Sequence, residues 1–496
     1  MHESFRDQGL DLETLTGLPP EHEPWILALA AFIMLLLGIV SALNAIMTTR
    51  TAQGAVAWAI LLVIFPPVMV PLYWVFGRRR FHGYAQVRRR GGLKVQHLAS
   101  ELNRRFQPYI PRTPAANQTL TALERLASMP FTRGNEARLL VNGDRAFEDM
   151  FAHIRQAQRY VLVEFYIVRD DEFGRALGEL LVSRAEAGVR VRFLYDEIGS
   201  FQTPRRFFRE LAAAGVDIRP FHSTKGFRNR FQLNFRNHRK IVVVDGCYAC
   251  VGGVNVGREY VHLHPVLSPW RDTSVALRGP AVQAVQLAFV EDWYWATDRV
   301  PPSLNWEPKA LPSGGVETLV LPSGPADALE SCALYFLHLI QTAKQRLWIV
   351  SPYFVPDAAV VAALQLAALR GVDVRILLPE LADKRLMKLS SYTYIGETIF
   401  SGVKFYRYQE GFLHQKVLLV DDDLASIGTA NLDNRSFRLN FEISILNRNR
   451  AFAAEVADML RADFRCSRQL TTAEVKHWSL PLRLVSRCAY LLAPIQ

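Results

Sequence analysis

Residues 162–170 (LVEFYIVRD) and 349–357 (IVSPYFVPD) follow one pattern, and residues 188–196 (GVRVRFLYD) and 371–379 (GVDVRILLP) follow another. A repeat on this scale calls for two similar domains, because its period far exceeds that of a solenoid. Between the paired segments lie alanine- and leucine-rich stretches, 176–187 and 358–369, with helical spacing. Each half therefore begins strand, helix, strand. Past residue 130, short β-rich runs alternate with amphipathic helical stretches, which predicts an α/β fold.

The chemistry-bearing residues fall at matching places in the two halves. The first half contains NHRKIVVVDGCYACVGGVN, with His238, Lys240 and Asp245 in the spacing HxKxxxxD, followed by Gly252, Gly253 and Asn255. The second contains HQKVLLVDDDLASIGTAN, with His414, Lys416 and Asp421 at the same spacing, followed by Gly428, Thr429 and Asn431. Side chains on a strand alternate faces, so His and Lys two residues apart share a side, and the apolar run after them predicts a buried strand. One HxK is an ordinary pair; two copies inside a wider repeat point to chemistry.

Those residue types suit a phosphodiester. Negative charge grows on its non-bridging oxygens under attack, and two lysines with two Asn amides converging on one phosphate stabilise that charge, so neither metal nor cofactor is expected. One imidazole can attack phosphorus while the other protonates the departing alcohol. A nucleophilic histidine needs an acceptor for its other nitrogen. Asp272, in WRDTSVALRGP, and Glu442, in NFEISILN, can supply it, or they are solvated carboxylates at strand starts. Gly252, Gly253 and Gly428 either admit the phosphate close to the backbone or fit a tight turn after the strand. Asp245 and Asp421 stand at odd separation from their lysines beside turn-like residues, which predicts a turn or ion-pair role facing away from substrate.

At 496 residues the chain exceeds a single core, and 50% apolar content excludes general disorder. A formal net charge of +11 favours an anionic partner, whether phospholipid, nucleic acid or polyphosphate. Cys247, Cys250, Cys332, Cys466 and Cys488 are scattered and odd in number, unlike a disulfide framework; the CxxC of Cys247 and Cys250 lacks a second ligand pair and reads as two strand cysteines.

Residues 25–47 are almost wholly apolar and uncharged, long enough to cross a hydrocarbon core of about 30 Å as a helix. The acidic stretch before them (Asp11, Glu13, Glu21, Glu23) is unlike a signal peptide. A second apolar run, 55–76, is interrupted by Pro66, Pro67 and Pro71. A second span is expected there, with a bent or re-entrant segment as the alternative. Arg78, Arg79, Arg80, Arg88, Arg89, Arg90 and Lys94 follow, against Arg50 alone in the linker, which puts the C-terminal part in the cytoplasm.

Two HxKxxxxD motifs in tandem halves resemble the phospholipase D superfamily over about residues 124–470. Paired apolar segments, FGRRR, EFYI at 164–167, SPYFVP at 351–356 and GTANLDNRSFRLNFE at 428–442 together are similar to bacterial cardiolipin synthases. Many relatives have Ser where this chain has Thr429, which keeps the hydroxyl. The resemblance implies two tandem α/β/α sandwich domains related by pseudo-twofold symmetry, behind two transmembrane helices or one spanning and one re-entrant helix. The boundaries read from the sequence are an acidic tail (1–23), an anchoring hairpin (24–77), a basic linker (78–130), domains over 131–310 and 311–470, and an amphipathic membrane-contacting segment (471–496).

The resemblance also implies that His238, Lys240, Asp245, His414, Lys416 and Asp421 form the catalytic motifs, with Asn255, Asn431, Gly253 and Thr429 at the phosphate and Asp272 and Glu442 orienting the histidines. His238 is then the nucleophile, and His414 the acid and later the base. The family reaction joins two phosphatidylglycerols and releases glycerol; some relatives use phosphatidylethanolamine as donor. The implied location is the bacterial inner membrane, multi-pass, with the catalytic domains cytoplasmic. Oligomeric state is left open.

Lys225, Arg228, Arg230, Arg236 and Arg239 form a basic approach suited to anionic headgroups, and nucleic-acid phosphate would be drawn as well. The anchor argues against a nucleic-acid partner. Residues 478–492 read either as an interfacial helix or as a terminal helix docked on the domain. The rival readings are a hydrolysing phospholipase D, a nucleic-acid phosphodiesterase of the same superfamily and a non-catalytic lipid-binding scaffold.

Overall fold

The computed structural model describes residues 23–49, 51–77, 84, 92–111, 118–221 and 234–496. The acidic tail before Glu23, Arg50, the arginines at 78–80 and 88–90, and Lys225, Arg228 and Arg230 lie outside the described residues. The chain forms two compact units, one containing the N-terminal apolar segments and the other the repeat.

In the first unit, helix α1 (Glu23–Thr48) includes the one stretch among the described residues long and apolar enough to cross a membrane, Trp25–Thr48. Its 26 residues span about 39 Å, and Leu29, Phe32, Leu36 and Leu43 are exposed along it, as lipid-facing residues would be. The second apolar run is not one rod. Helix α2 (Ala52–Ile64) stops at Phe65, where Pro66 and Pro67 begin the short helix α3 (Pro66–Leu72) and a π-turn, Tyr73–Gly77. At 13 residues α2 reaches only about 20 Å, short of a hydrocarbon core.

The run then doubles back along α1. A Cβ on Gly38 would meet the Leu62 carbonyl at 2.4 Å, so α2 lies close against α1 there. Beyond the break, Tyr73 donates its hydroxyl to Asn44 (2.7 Å) and Trp74 donates its indole N–H to Ser41 (3.2 Å). Asn44 is within a turn or so of Thr49, where the run set out. Asn44 and Ser41 of α1 are thus met by partners within the unit, as an apolar solvent requires.

In the second unit, the first half contributes β1 (Thr132–Val141), β2 (Tyr160–Phe165), β3 (Arg190–Tyr195), β4 (Asp217–Pro220), β5 (Ile241–Val244), β6 (Tyr248–Gly252) and β7 (Thr273–Arg278). The second contributes β8 (Val316–Ser323), β9 (Arg346–Val350), β10 (Asp373–Pro379), β11 (Lys404–Tyr408), β12 (Val417–Val420), β13 (Leu424–Gly428), β14 (Asn440–Arg448) and an edge strand β15 (Ser467–Gln469). All fifteen join one sheet in the order β15-β11-β10-β9-β12-β13-β14-β8-β1-β7-β6-β5-β2-β3-β4, and the two-residue strand Arg236–Asn237, which pairs with β14 off this path, is its sixteenth.

Outward from the centre, each half runs first strand, last strand, post-motif strand, motif strand and then the parallel strands. β1 and β8 pair antiparallel across the middle, so the pseudo-twofold axis passes between them and the halves share a sheet rather than meeting at a linker. Motif strands β5 (IVVV) and β12 (VLLV) are buried at every position. Covered faces explain this: Val161 and Val163 of β2 pack into one core and Tyr160 and Leu162 into the other, each buried aliphatic side chain contributing about 1.5–3 kcal/mol. Helices Glu172–Glu186 and Ala358–Leu369 fall close to the two predicted helical stretches and are capped by Asp171 and Asp357, which accept from Gly174 (2.8 Å) and Val360 (2.9 Å) amides.

Candidate active site

Both histidines precede a motif strand, and each is delivered to its carboxylate by a two-residue parallel pairing from the other half. Arg236 and Asn237 pair with Asn440 and Phe441, which sets His238 beside Glu442. Phe412 and Leu413 pair with Trp270 and Arg271, which sets His414 beside Asp272. His238 Nδ1 lies 3.0 and 2.9 Å from the Glu442 oxygens, and His414 Nδ1 lies 2.8 Å from Asp272 Oδ2. A carboxylate only accepts, so each ring carries its hydrogen on Nδ1 and keeps the Nε2 lone pair for a substrate. Both carboxylates are fully buried, while each histidine keeps 8% of its surface exposed.

The two carboxylates are seated differently. Glu442 accepts from Thr429 Oγ1 (2.6 Å), Ser436 Oγ (2.8 Å) and Asn440 Nδ2 (3.2 Å). Asp272 accepts from the Thr273 amide (2.8 Å) and the Trp270 indole (3.4 Å). A Cβ at Gly253, the place Thr429 holds in the other half, would meet Asp272 Oδ1 at 2.1 Å. Thr429, expected at the phosphate, donates its hydroxyl to Glu442, and Gly253, expected there too, leaves free the space that Asp272 fills.

Lys240 and Lys416 are buried, and each donates to the carbonyl of its own motif histidine, Lys240 at 2.6 Å. Burial, then the charges of Lys240, Lys416 and His414, hold His238 well below the usual histidine range. Burial and Lys416 bring His414 down to about 4, against the pull of Asp272. Burial lowers Lys240 to about 7 and Lys416 to about 8. Burial opposes an ionised Asp272, yet Lys416 and His414 keep it below the usual carboxylate range. Burial pushes Glu442 up, against Lys240 and its hydroxyl donors. Both lysines and the second histidine act on His238, so the motifs converge on one centre with neutral imidazoles and cations awaiting an anion.

The third motif residues stand elsewhere. Asp245 lies beyond β5 and accepts from the Gln158, Arg159 and Tyr160 amides, each at 2.8 Å. Asp421 lies beyond β12 and accepts from the Lys344 (3.1 Å), Gln345 (2.8 Å) and Arg346 (3.1 Å) amides. With φ of +52° and +50°, both hold turns and tether the neighbouring strands β2 and β9. Although they belong to the motif, they take no part at the histidines, because four strand residues separate them from it.

Asn255 accepts from the Ile167 amide (3.1 Å) and donates to Tyr260 (3.0 Å), leaving one amide hydrogen. The Asn431 backbone N–H donates to Ser436 Oγ (3.0 Å), while its side-chain oxygen is buried without a hydrogen-bond partner. Arg239, counted above with the headgroup-gathering cations, is a correction: it is 3% exposed, pairs with Asp292 at 2.7 Å and donates to the Glu442 carbonyl at 3.0 Å. It braces the strand carrying Glu442, because a guanidinium inside the sheet needs every donor met.

Tyr166 was not singled out in the sequence. Its ring stands edge-on to His238 (centroids 4.9 Å apart) with Lys240 Nζ 5.4 Å above it. Tyr353, its counterpart in the repeat, donates to Asp383 at 2.6 Å with Lys384 over its ring. The matching tyrosines of LVEFYIVRD and IVSPYFVPD were the available signal. Trp270 and Phe412 flank His414 at 5.2 and 5.8 Å. Among the described residues, no three His, Cys, Asp or Glu side chains gather as metal ligands.

Residues 150–269 and 336–464 match the family described as cardiolipin synthase, PLD-like domain, one segment around each motif. Cardiolipin synthase A of Pseudomonas putida (strain GB-1) is 47% identical over 96% of this chain and 99% of its own length. Cardiolipin synthase A of Pseudomonas aeruginosa (strain LESB58) is 50% identical over 92% of this chain and 94% of its own. The crystal structure of phosphatidylserine synthase from Haemophilus influenzae Rd KW20 shares the fold, with a TM-score of 0.56 at 15% identity, covering 77% of this chain and 100% of that one. The chain belongs to the cardiolipin synthase family of phospholipase D-like proteins.

Proposed function

We propose that this protein is a phosphatidyltransferase that makes cardiolipin from two phosphatidylglycerols. The observation that carries the reading is the crossed pair of His–carboxylate dyads, each with Nε2 free, beside two buried lysines. His238 Nε2 attacks the donor phosphorus; the bond from phosphorus to the headgroup oxygen breaks, and that oxygen takes the proton of His414 Nε2–H. The acceptor hydroxyl then gives its proton to His414 and attacks phosphorus, and the P–N bond breaks. Arrival of the phosphate anion favours the charged forms of Lys240, Lys416 and His414, which supplies the acid that the empty site lacks. Asn255, which has one amide hydrogen left over, and Asn431 are the amide donors assigned to the phosphate.

The donor reading extends to phosphatidylethanolamine. The chain sits in the bacterial inner membrane with the repeat in the cytoplasm, on the strength of the arginine excess after residue 77. The return of Tyr73 to Asn44 supports a re-entrant second arm, which leaves α1 as the single span. Labelled phosphatidylglycerol supplied to the membrane-embedded protein tests the reading: labelled cardiolipin and glycerol are expected, and phosphatidic acid without cardiolipin would overturn transfer in favour of hydrolysis.

A further inference from the structure

The C-terminal helix, Leu480–Tyr490, packs on helix Arg385–Thr398 by one side only. Ser486 and Ala489 are buried, and Tyr490 stacks near Tyr394 with ring centroids 5.2 Å apart. The opposite side presents Leu480 (79% exposed), Leu484 (64%) and Leu491 (75%), with Val485 and Leu492 beside them. At helical spacing these residues form one continuous apolar arc, which water disfavours.

Along one edge of the arc the surface opens into a cavity of about 360 Å³ between the two helices. Three cations line it, Lys476, Arg483 and Arg487, against one carboxylate, Glu397, which Arg487 meets at 3.1 Å. Its walls are aromatic: Trp478 stands edge-on to Tyr392 at 4.9 Å, and the half-exposed Phe400 carries Lys476 Nζ 5.8 Å over its ring. A cationic, aromatic-walled cavity bordering an exposed leucine arc is the pattern of a surface that sits at a headgroup boundary, with apolar residues in the acyl region and cations at phosphate depth.

We infer that this face docks on an anionic bilayer surface: the leucine arc enters the acyl boundary, and the Lys476–Arg483–Arg487 cavity takes the phosphate of an anionic phospholipid. The occupant is lipid rather than protein because the cation excess lies directly at the rim of the apolar arc and the same chain carries a helix long and apolar enough to cross a membrane. This site is separate from the histidines and does not rest on the catalytic reading.

Cys488 lies on the exposed arc and is itself exposed, which gives a direct probe. The full chain, with Cys247 and Cys466 replaced by serine, would carry a nitroxide at Cys488 and be reconstituted in vesicles of phosphatidylglycerol and phosphatidylcholine. Collisions with oxygen are expected to exceed those with an aqueous nickel chelate severalfold relative to a nitroxide at Cys247, a second exposed cysteine of the same unit, in a companion chain that keeps Cys247 and has Cys466 and Cys488 replaced by serine. Reversing the charges in Lys476→Glu, Arg483→Glu and Arg487→Glu should return Cys488 to water, as should vesicles of phosphatidylcholine alone. A water-exposed Cys488 in the wild-type chain overturns docking. Immersion that ignores both charge reversal and lipid charge overturns the phosphate site. Spin–spin broadening at Cys488 would mean that a second copy covers the arc, which also overturns the inference. His238→Ala should leave every reading unchanged, so a failed catalytic assignment does not affect this test.

Discussion

The two histidine centres are built on the same strand order and are poised differently. At the His238 centre, Glu442 depends on three side-chain donors, and burial shifts it upward; Lys240 is lowered to about 7. At the His414 centre, Asp272 is shorter, held by a backbone amide and an indole, and stays below the usual range; Lys416 is lowered only to about 8. At the His238 centre, then, burial works against the charged carboxylate. At the His414 centre, Lys416 and His414 hold the carboxylate charged; on the proposed mechanism that charge would stabilise an imidazolium.

The sharpest way to break the comparison is to remove each histidine. His238→Ala should lower turnover by about 10⁴-fold or more and abolish any phosphatidyl adduct in intact-mass spectra of quenched enzyme. His414→Ala should lose turnover as well, yet leave an adduct on His238 when the donor's leaving group needs no proton. An adduct on His414 instead would exchange the two roles.

Glu442→Gln and Asp272→Asn should each cost roughly 10³-fold or more in kcat, because an amide can hold the wrong tautomer. Lys240→Ala and Lys416→Ala should each cost about 10²–10³-fold. If only one carboxylate mattered, the symmetry of the site would be structural alone.

Exchanging the residues that differ tests the seating. Gly253→Thr should displace the Asp272 carboxylate and lower kcat by about 10²-fold, the scale of a misplacement of about 1 Å. Thr429→Val, losing one donor to Glu442, should cost about tenfold, and Thr429→Ser nothing measurable.

The pH profile should separate the centres further. As pH rises, Lys240 at about 7 and then Lys416 at about 8 lose their protons, so kcat/KM should fall through that range. The kcat limb should lie higher, since bound phosphate favours the ammonium forms. As pH falls, Glu442, with its raised pKa, protonates before Asp272, and the His238 centre fails first. A kcat/KM that stays flat from about pH 6 to 9 would remove the lysines from control of the free enzyme.

The smallest effects on catalysis belong to the motif aspartates. Asp245→Ala and Asp421→Ala should each cost about 1–3 kcal/mol in denaturant unfolding by freeing three backbone amides, with kcat per folded molecule unchanged. A large kcat loss at unchanged stability would return these residues to the reacting centre.

Local sequence determined a good deal: two similar α/β halves, a His–Lys pair just ahead of each buried motif strand, an aspartate at the turn beyond it, and a first apolar run able to cross a membrane. Each follows from strand or helix periodicity acting over a few residues. The sequence also marked Asp272 and Glu442 as acceptors, but carried nothing to say which histidine each would meet. Only the tertiary structure crossed them, His238 to Glu442 and His414 to Asp272, across 204 and 142 residues. The physical reason is that partner choice rests on the register of two short parallel pairings between the halves, and register is set by the closure of the whole sheet. The burial of Arg239 and the doubling back of the second apolar run were likewise decided by packing between residues distant in sequence. A guanidinium in a charge run and a proline in an apolar run read alike in sequence whichever way the surrounding elements pack.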